Sequence, residues 1–176
     1  MTGNMEIDLD AGSLRLTGQD IGLALHQLRG LTNLLRFNCE MVSADGRDEK
    51  RNFASQNALL SCFAALEALI LETGHCRLPE LYADDGWRGA SLGRKYRKFL
   101  ETCGRAGDSV PPFVAEIAKH RRALTHSEPD NPRTGELGNV IASRETAAYL
   151  ERFREVAEWL WAGDPPEQHR GIFPPR

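Results

Sequence analysis

An arginine followed five positions later by a histidine has the right functional groups for acid–base chemistry on a phosphate ester. The guanidinium steadies negative charge building on the phosphate oxygens, and the imidazole moves a proton near neutral pH. In this chain Arg121 and His126 form the one pair at that spacing, within Ile117-Ala118-Lys119-His120-Arg121-Arg122-Ala123-Leu124-Thr125-His126. Eighteen arginines and five histidines in 176 residues yield about half a pair of this kind by chance. The pair therefore takes its meaning from its surroundings.

At about 100° per residue on a helix, Phe113, Ile117 and Leu124 fall within about 40° of one another, with Arg121 about 40° beyond that arc. A long cation on the apolar side must reach water, an anion or a ligand. In the preceding long segment Leu59, Phe63, Leu66 and Ile70 form a stripe with Glu67 at its edge. A pairing of Glu67 with Arg121 across two central helices is the economical expectation, and it would fix the guanidinium beside His126. His126 falls at the expected end of its helix, where exposed carbonyls favour the imidazolium form. Lys119, His120 and Arg122 add positive charge around the pair. A second basic run, Arg94, Lys95, Arg97 and Lys98, surrounds Tyr96; it reads either as a rail for an RNA backbone or as an ordinary solvated helix face.

The elements that must position these groups are helical. Apolar residues recur at helical spacing over Gln19 to Ser43, Asn52 to Thr73, Ser91 to Thr102, Pro111 to His126 and Arg144 to Trp161. Gly74 reads as the stop of the second helix, and Cys76 to Ala90 as an irregular connection. Pro111 and Pro112 suit a first helical turn. The expected fold is all-α, an up-down bundle of four to five helices. Ahead of it, residues 1–18 read as an arm or short β-hairpin, with Ile7, Leu9, Leu14 and Leu16 alternating around Asp10-Ala11-Gly12-Ser13. The bundle proper occupies 19–162, and 163–176 reads as a loose, proline-rich tail.

With the motif placed on its helix, the chain resembles the HEPN superfamily. Its ribonuclease members carry Arg-x4-6-His near the end of a core helix, commonly with a polar residue after the arginine, here Arg122. Ala-Leu-Glu67-Ala-Leu also looks like that family's second helix, with an acidic residue facing the site. The resemblance follows helix order over Gln19 to Trp161, and its specific part is about a dozen residues. It implies an endoribonuclease working without metal or cofactor, with Arg121 and His126 catalytic, Glu67 and Arg122 in support, and RNA as substrate. It also implies a homodimer that brings two Arg–His pairs into one cleft, of toxin or phage-defence kind. Members paired with a nucleotidyltransferase antitoxin place a tyrosine two residues after the histidine, where this chain has Glu128. Other members are dimerisation or adaptor modules without nuclease activity, and that reading, or one as a nucleotide-binding module, stays open here. So does that of a regulatory partner encoded beside an enzyme, docking onto it through the tail from Asp164 to Arg176; an antitoxin or regulatory protein is the expected partner on the nuclease reading.

The bulk numbers narrow the field. A net charge of −3 excludes a protein that coats nucleic acid by bulk charge, so any RNA contact is local. Cys39, Cys62, Cys76 and Cys103 form no Cys-x-x-Cys pair and indicate neither a disulfide framework nor a zinc site; Cys39 and Cys62 sit at positions suited to buried thiols. Gly89 to Lys95 lacks the order of a phosphate loop. The acidic first ten residues have no apolar stretch, and a cytoplasmic protein with no membrane span is expected.

Overall fold

A computed structural model describes the backbone of residues 21–44, 48–125, 137–141 and 144–173, and the side chains from residue 27 onward. The expected hairpin around Ile7 to Leu16 lies outside these residues. Within them the chain is all-α. Helix α1 spans Ile21–Ser43 and α2 Asp48–Arg77. Two single turns follow, α3 Pro79–Tyr82 and α4 Asp85–Arg88, and then α5 Leu92–Thr102 and α6 Pro112–Thr125. A 3-10 turn at Glu145–Ala148 leads into α7, Tyr149–Trp161.

Helix α2 is the axis of the bundle, packed by α1 along its length and by α5, α6 and α7 around it. Its apolar residues explain this arrangement: Ala58, Leu59, Cys62, Ala65, Leu66, Leu69 and Ile70 are all buried within an arc of about 140°, and Phe53, Leu60, Phe63, Ala64 and Leu71 carry apolar side chains round the rest of the helix. A helix apolar on so many sides must be enclosed. Its length and composition would suffice to cross a membrane, but here 56% of its most apolar window is covered by the other helices. The stripes expected on its neighbours face it: Leu28, Thr32 and Leu35 on α1, and Tyr149, Phe153, Val156 and Leu160 on α7, are buried. Cys39 and Cys62 are buried free thiols, as expected. Burial pushes the Cys62 thiol well above its ordinary value.

Three elements depart from the sequence reading. First, α2 runs through Gly74 to Arg77. The glycine is required for clearance and does not terminate the helix: a Cβ there would stand 2.5 Å from the Trp87 ring. Trp87 is buried, and its indole N–H donates to the Lys95 carbonyl at 3.0 Å. The indole thus wedges the α3–α4 connection, partly helical and not wholly irregular, between α2 and α5. Second, Arg144 takes a left-handed conformation, φ 65°, so α7 begins only at Tyr149, after the 3-10 turn. Third, the proline-rich segment packs on the bundle instead of hanging loose. A 3-10 turn, Glu167–His169, places His169 Nε2 2.9 Å from the buried carboxylate of Glu72. That carboxylate also accepts the Leu28 N–H at 3.3 Å. Ile172 is buried, and Phe173 lies against Phe153, 5.5 Å between centroids.

Two phenols lie wholly inside. The Tyr96 hydroxyl donates to the Leu66 carbonyl at 3.0 Å, whereas among the described residues the Tyr149 hydroxyl has no hydrogen-bond partner. Burial pushes both above the ordinary value of 10.0.

These contacts generate three predictions. Gly74→Ala drives a methyl into a rigid indole and should cost roughly 1–3 kcal/mol. Gly30→Ala on exposed α1, where a Cβ meets nothing within 4 Å, should gain about 0.5–1 kcal/mol; urea denaturation of the two variants tests the contrast. Tyr149→Phe removes a buried, unpaired hydroxyl and should stabilise by about 1 kcal/mol at pH 7. Because the fold holds the protons of Tyr96, Tyr149 and Cys62 more tightly than the unfolded chain does, their contribution is complete below the ordinary values of 9.0 and 10.0. It is lost as pH rises through and beyond those values, at roughly 1.4 kcal/mol per unit for each group. Thermal melts from pH 7 to 11 should show this loss, shallower in Tyr149→Phe.

Candidate functional site: the exposed end of helix α6

Helix α6 is fixed at its start and middle, and its far end emerges from the bundle. Pro112 opens it, and Phe113, Val114, Ile117, His120 and Ala123 are its buried face. From α7, Arg152 clamps it with two parallel hydrogen bonds to Glu116, at 2.8 and 2.6 Å. The Arg152 guanidinium lies 4.1 Å from the centre of the Phe113 ring. Glu116 holds Arg152 above its ordinary value, so this clamp is a permanent charge pair. The Phe113 ring also meets Tyr149 edge-on at 5.4 Å.

The last turn carries the candidate chemistry. Arg121 is exposed and lays its guanidinium over the Phe63 ring of α2, 5.2 Å from the centroid. Among the described residues it has no carboxylate partner. Thr125 Oγ donates back to the Arg121 carbonyl at 3.0 Å. Arg122 and Lys119 are exposed on the same stretch. Two arginines at a helix C-terminus sit favourably with the backbone dipole. A guanidinium braced on a ring, with its N–H fork toward solvent, suits an oxyanion such as phosphate.

The partner expected for Arg121 is engaged elsewhere. Glu67 forms its ion pair with Lys95 of α5, which corrects the Glu67–Arg121 pairing. The reason is position: Lys95 projects inward next to Tyr96, with 3% of its side chain exposed, so its ammonium takes the nearest carboxylate. Lys95 is thereby removed from the proposed RNA rail, while Arg94 and Arg97 remain exposed. Lys98 is exposed and lies 3.6 Å from Glu101. His120 is also corrected. It is buried, and among the described residues its Nδ1 has no hydrogen-bond partner, so it packs on the inner face of the helix and is not part of the exposed surface. His126 lies outside the described residues.

Several charged contacts were missed from the sequence. The Glu116–Arg152 clamp joins two helices whose stripes were recognised, but nothing in either stripe selects that pair. For His120 a signal existed: it is seven residues after Phe113 and three after Ile117, inside the buried arc. Among the described residues, no three His, Cys, Asp or Glu side chains converge into a metal-binding group.

No family model, characterised protein or solved structure matches this chain.

The Glu67–Lys95 pair gives a test of the corrected assignment. Glu67→Ala strands a buried ammonium and should destabilise by roughly 1–3 kcal/mol. Lys95→Met, which keeps the volume and leaves only a half-exposed carboxylate behind, should cost less. A double-mutant cycle by urea denaturation should return a favourable coupling energy for Glu67 with Lys95 and none for Glu67 with Arg121.

Proposed function

We propose that this chain is an endoribonuclease of the HEPN kind that cuts without a metal ion, using Arg121 and His126. The observation that carries the proposal is the exposed guanidinium of Arg121, braced on Phe63 in α6 five residues before His126 in the sequence. Arg122 and Lys119 add positive charge where the chain as a whole is acidic.

In this reading His126 takes the proton from a ribose 2'-hydroxyl, whose oxygen attacks the adjacent phosphorus. The bond from phosphorus to the 5'-oxygen breaks, and that oxygen receives a proton from a second acid, supplied by the other His126 of a dimer. Arg121 donates to the equatorial oxygens as charge accumulates on them. The products are a 2',3'-cyclic phosphate and a 5'-hydroxyl. Positions 121 and 126 are about 140° apart on a helix, so one copy places its two groups on different sides. A homodimer supplies both to one cleft. The biological setting of this reading is a cytoplasmic toxin or defence protein held in check by a protein partner.

A second reading is favoured by the bare apolar face of α1 and α2: a dimerisation or adaptor module in which Arg121 holds an anion without cutting. Incubation with mixed RNA in EDTA separates the two. On the nuclease reading the parent cleaves and leaves cyclic phosphate ends, identified by mass spectrometry, and Arg121→Ala and His126→Ala each lose about 100-fold or more. Cleavage by His126→Ala at the parent rate would overturn the assignment.

A further inference from the structure

The large apolar side chains left exposed among the described residues are Leu34, Phe37 and Met41 of α1 and Phe53 and Leu60 of α2. All five line one groove of about 600 Å³ along the α1–α2 hairpin. Phe53 is 67% and Phe37 58% exposed. Together the five leave on the order of 400 Å² of apolar surface in one patch, as large as the biggest patches monomers usually carry.

The rest of the lining narrows what fills the groove. Lys50, near the start of α2, is the one charged side chain there. Asp48 beside it is held by Arg51, and among the described residues Lys50 has no carboxylate partner. Two amides, Asn38 and Asn57, also line the groove. Asn38 donates to the Leu34 carbonyl at 2.9 Å, while the Asn57 side chain makes no hydrogen bond among the described residues. A primary amide both donates to and accepts from a peptide group. The lining therefore suits an extended segment with apolar side chains along one edge and carboxylates along the other.

Outside the described residues, the sequence Met5-Glu6-Ile7-Asp8-Leu9-Asp10 carries that pattern: three apolar residues alternate with three acidic ones. Extended, Met5 to Leu9 spans about 13 Å, and the groove follows α1 from Leu34 to Met41, about 10 Å of helix. The connection is long enough. The chain between Leu9 and Ile21, where α1 begins, reaches up to about 40 Å, and Phe37 lies about 24 Å along the helix from Ile21. Attachment then decides between this segment and a free competitor, since a short tether holds a ligand at an effective concentration of roughly millimolar. A second copy in dilute solution does not approach that value.

We infer that the α1–α2 groove seats this chain's own N-terminal segment, Met5 to Asp10, with Met5, Ile7 and Leu9 against its apolar lining and the carboxylates turned toward Lys50. The segment is then a built-in cover for the apolar face, and whatever draws it away uncovers a docking surface. The inference is independent of the nuclease reading.

Two measurements on the full chain at micromolar concentration test it. A zero-length carbodiimide joins an amine to a carboxylate only where the two meet. Applied to a mixture of ordinary and heavy-nitrogen protein, it should link Lys50 to Glu6, Asp8 or Asp10 within single copies, as read by peptide mass spectrometry. Fluorescence of anilinonaphthalene sulfonate, which reports exposed apolar surface, should be low in the parent and rise at least about threefold when Ile7→Asp and Leu9→Asp are combined. Adding Phe37→Glu should remove most of that rise, and a thermal melt matching the parent's would show that the bundle is intact in both variants. Fluorescence equally high in the parent and the double variant would mean an open groove, overturning the inference in favour of another protein or a lipid surface. Equally low fluorescence in both would overturn it in favour of a different cover, such as a second copy. A mixed-isotope link from Lys50, or no link from Lys50 to residues 6, 8 or 10, would overturn it as well.

Discussion

Helix α2 has 30 residues and apolar side chains directed to most of its circumference, so no single neighbour can cover it. The bundle is the solution to that constraint. Helix α1 returns along α2 after a short connection and covers one side; α5, α6 and α7 cover the others. The C-terminal segment closes the remaining end, where Trp161, itself buried, donates from its indole to Thr73 and stacks on His169. Even the glycine inside α2 serves this enclosure, since Trp87 occupies the space a side chain at position 74 would need.

Covering an apolar axis with helices from several directions also brings charged residues inward, and each settles on the nearest group that can neutralise it. Lys95 takes Glu67, Arg152 takes Glu116, and His169 takes Glu72. Removal of Glu67, Glu72 or His169 leaves a polar group where water reaches it poorly, whereas Glu67, Arg152 and Glu116 would themselves be left in partial contact with solvent. Arg121 is placed differently. The carboxylate at the matching height of α2 is already occupied, and among the described residues it is the face of Phe63 that lies beside its guanidinium. A ring holds a guanidinium in orientation yet leaves its donors free, whereas a carboxylate would have consumed them. The pairing expected from the sequence would have produced an ion pair; the contact found is with an aromatic ring.

Legibility followed periodicity. The stripes of α1, α6 and α7 and the buried thiols of Cys39 and Cys62 could be read because burial repeats with the helical turn. Ionic partners could not be read in the same way: a stripe gives the side of a helix on which Glu67 lies but not which neighbour arrives there first. Gly74 misled because a helix stop and a close approach use the same residue, and the approach depends on Trp87, thirteen positions away. The C-terminal segment misled because its prolines and glycine suggest disorder, while His169, Ile172 and Phe173, which dock it, are few and irregularly spaced. His120 and Lys95 were misread by type: each was taken as surface charge, although each sits at or within an apolar arc.

The uncovered part of α2 shares its face with the candidate site. Phe53, Leu60 and Phe63 follow one another along that face, so the groove and the platform under Arg121 are neighbouring parts of one helix. Stability does not require the groove to stay bare, since the bundle has already enclosed the other faces of α2. What the groove does control is the environment of Arg121. An apolar body seated on it would remove water from one side of the guanidinium, lower the local dielectric, and strengthen the attraction between that guanidinium and a phosphate. Residues far from any bond-breaking step, Leu34 and Phe37 among them, would then set how strongly Arg121 holds its ligand. On the proposed reading, occupancy of this face would therefore bear on anion binding at α6 through α2, whichever reaction follows.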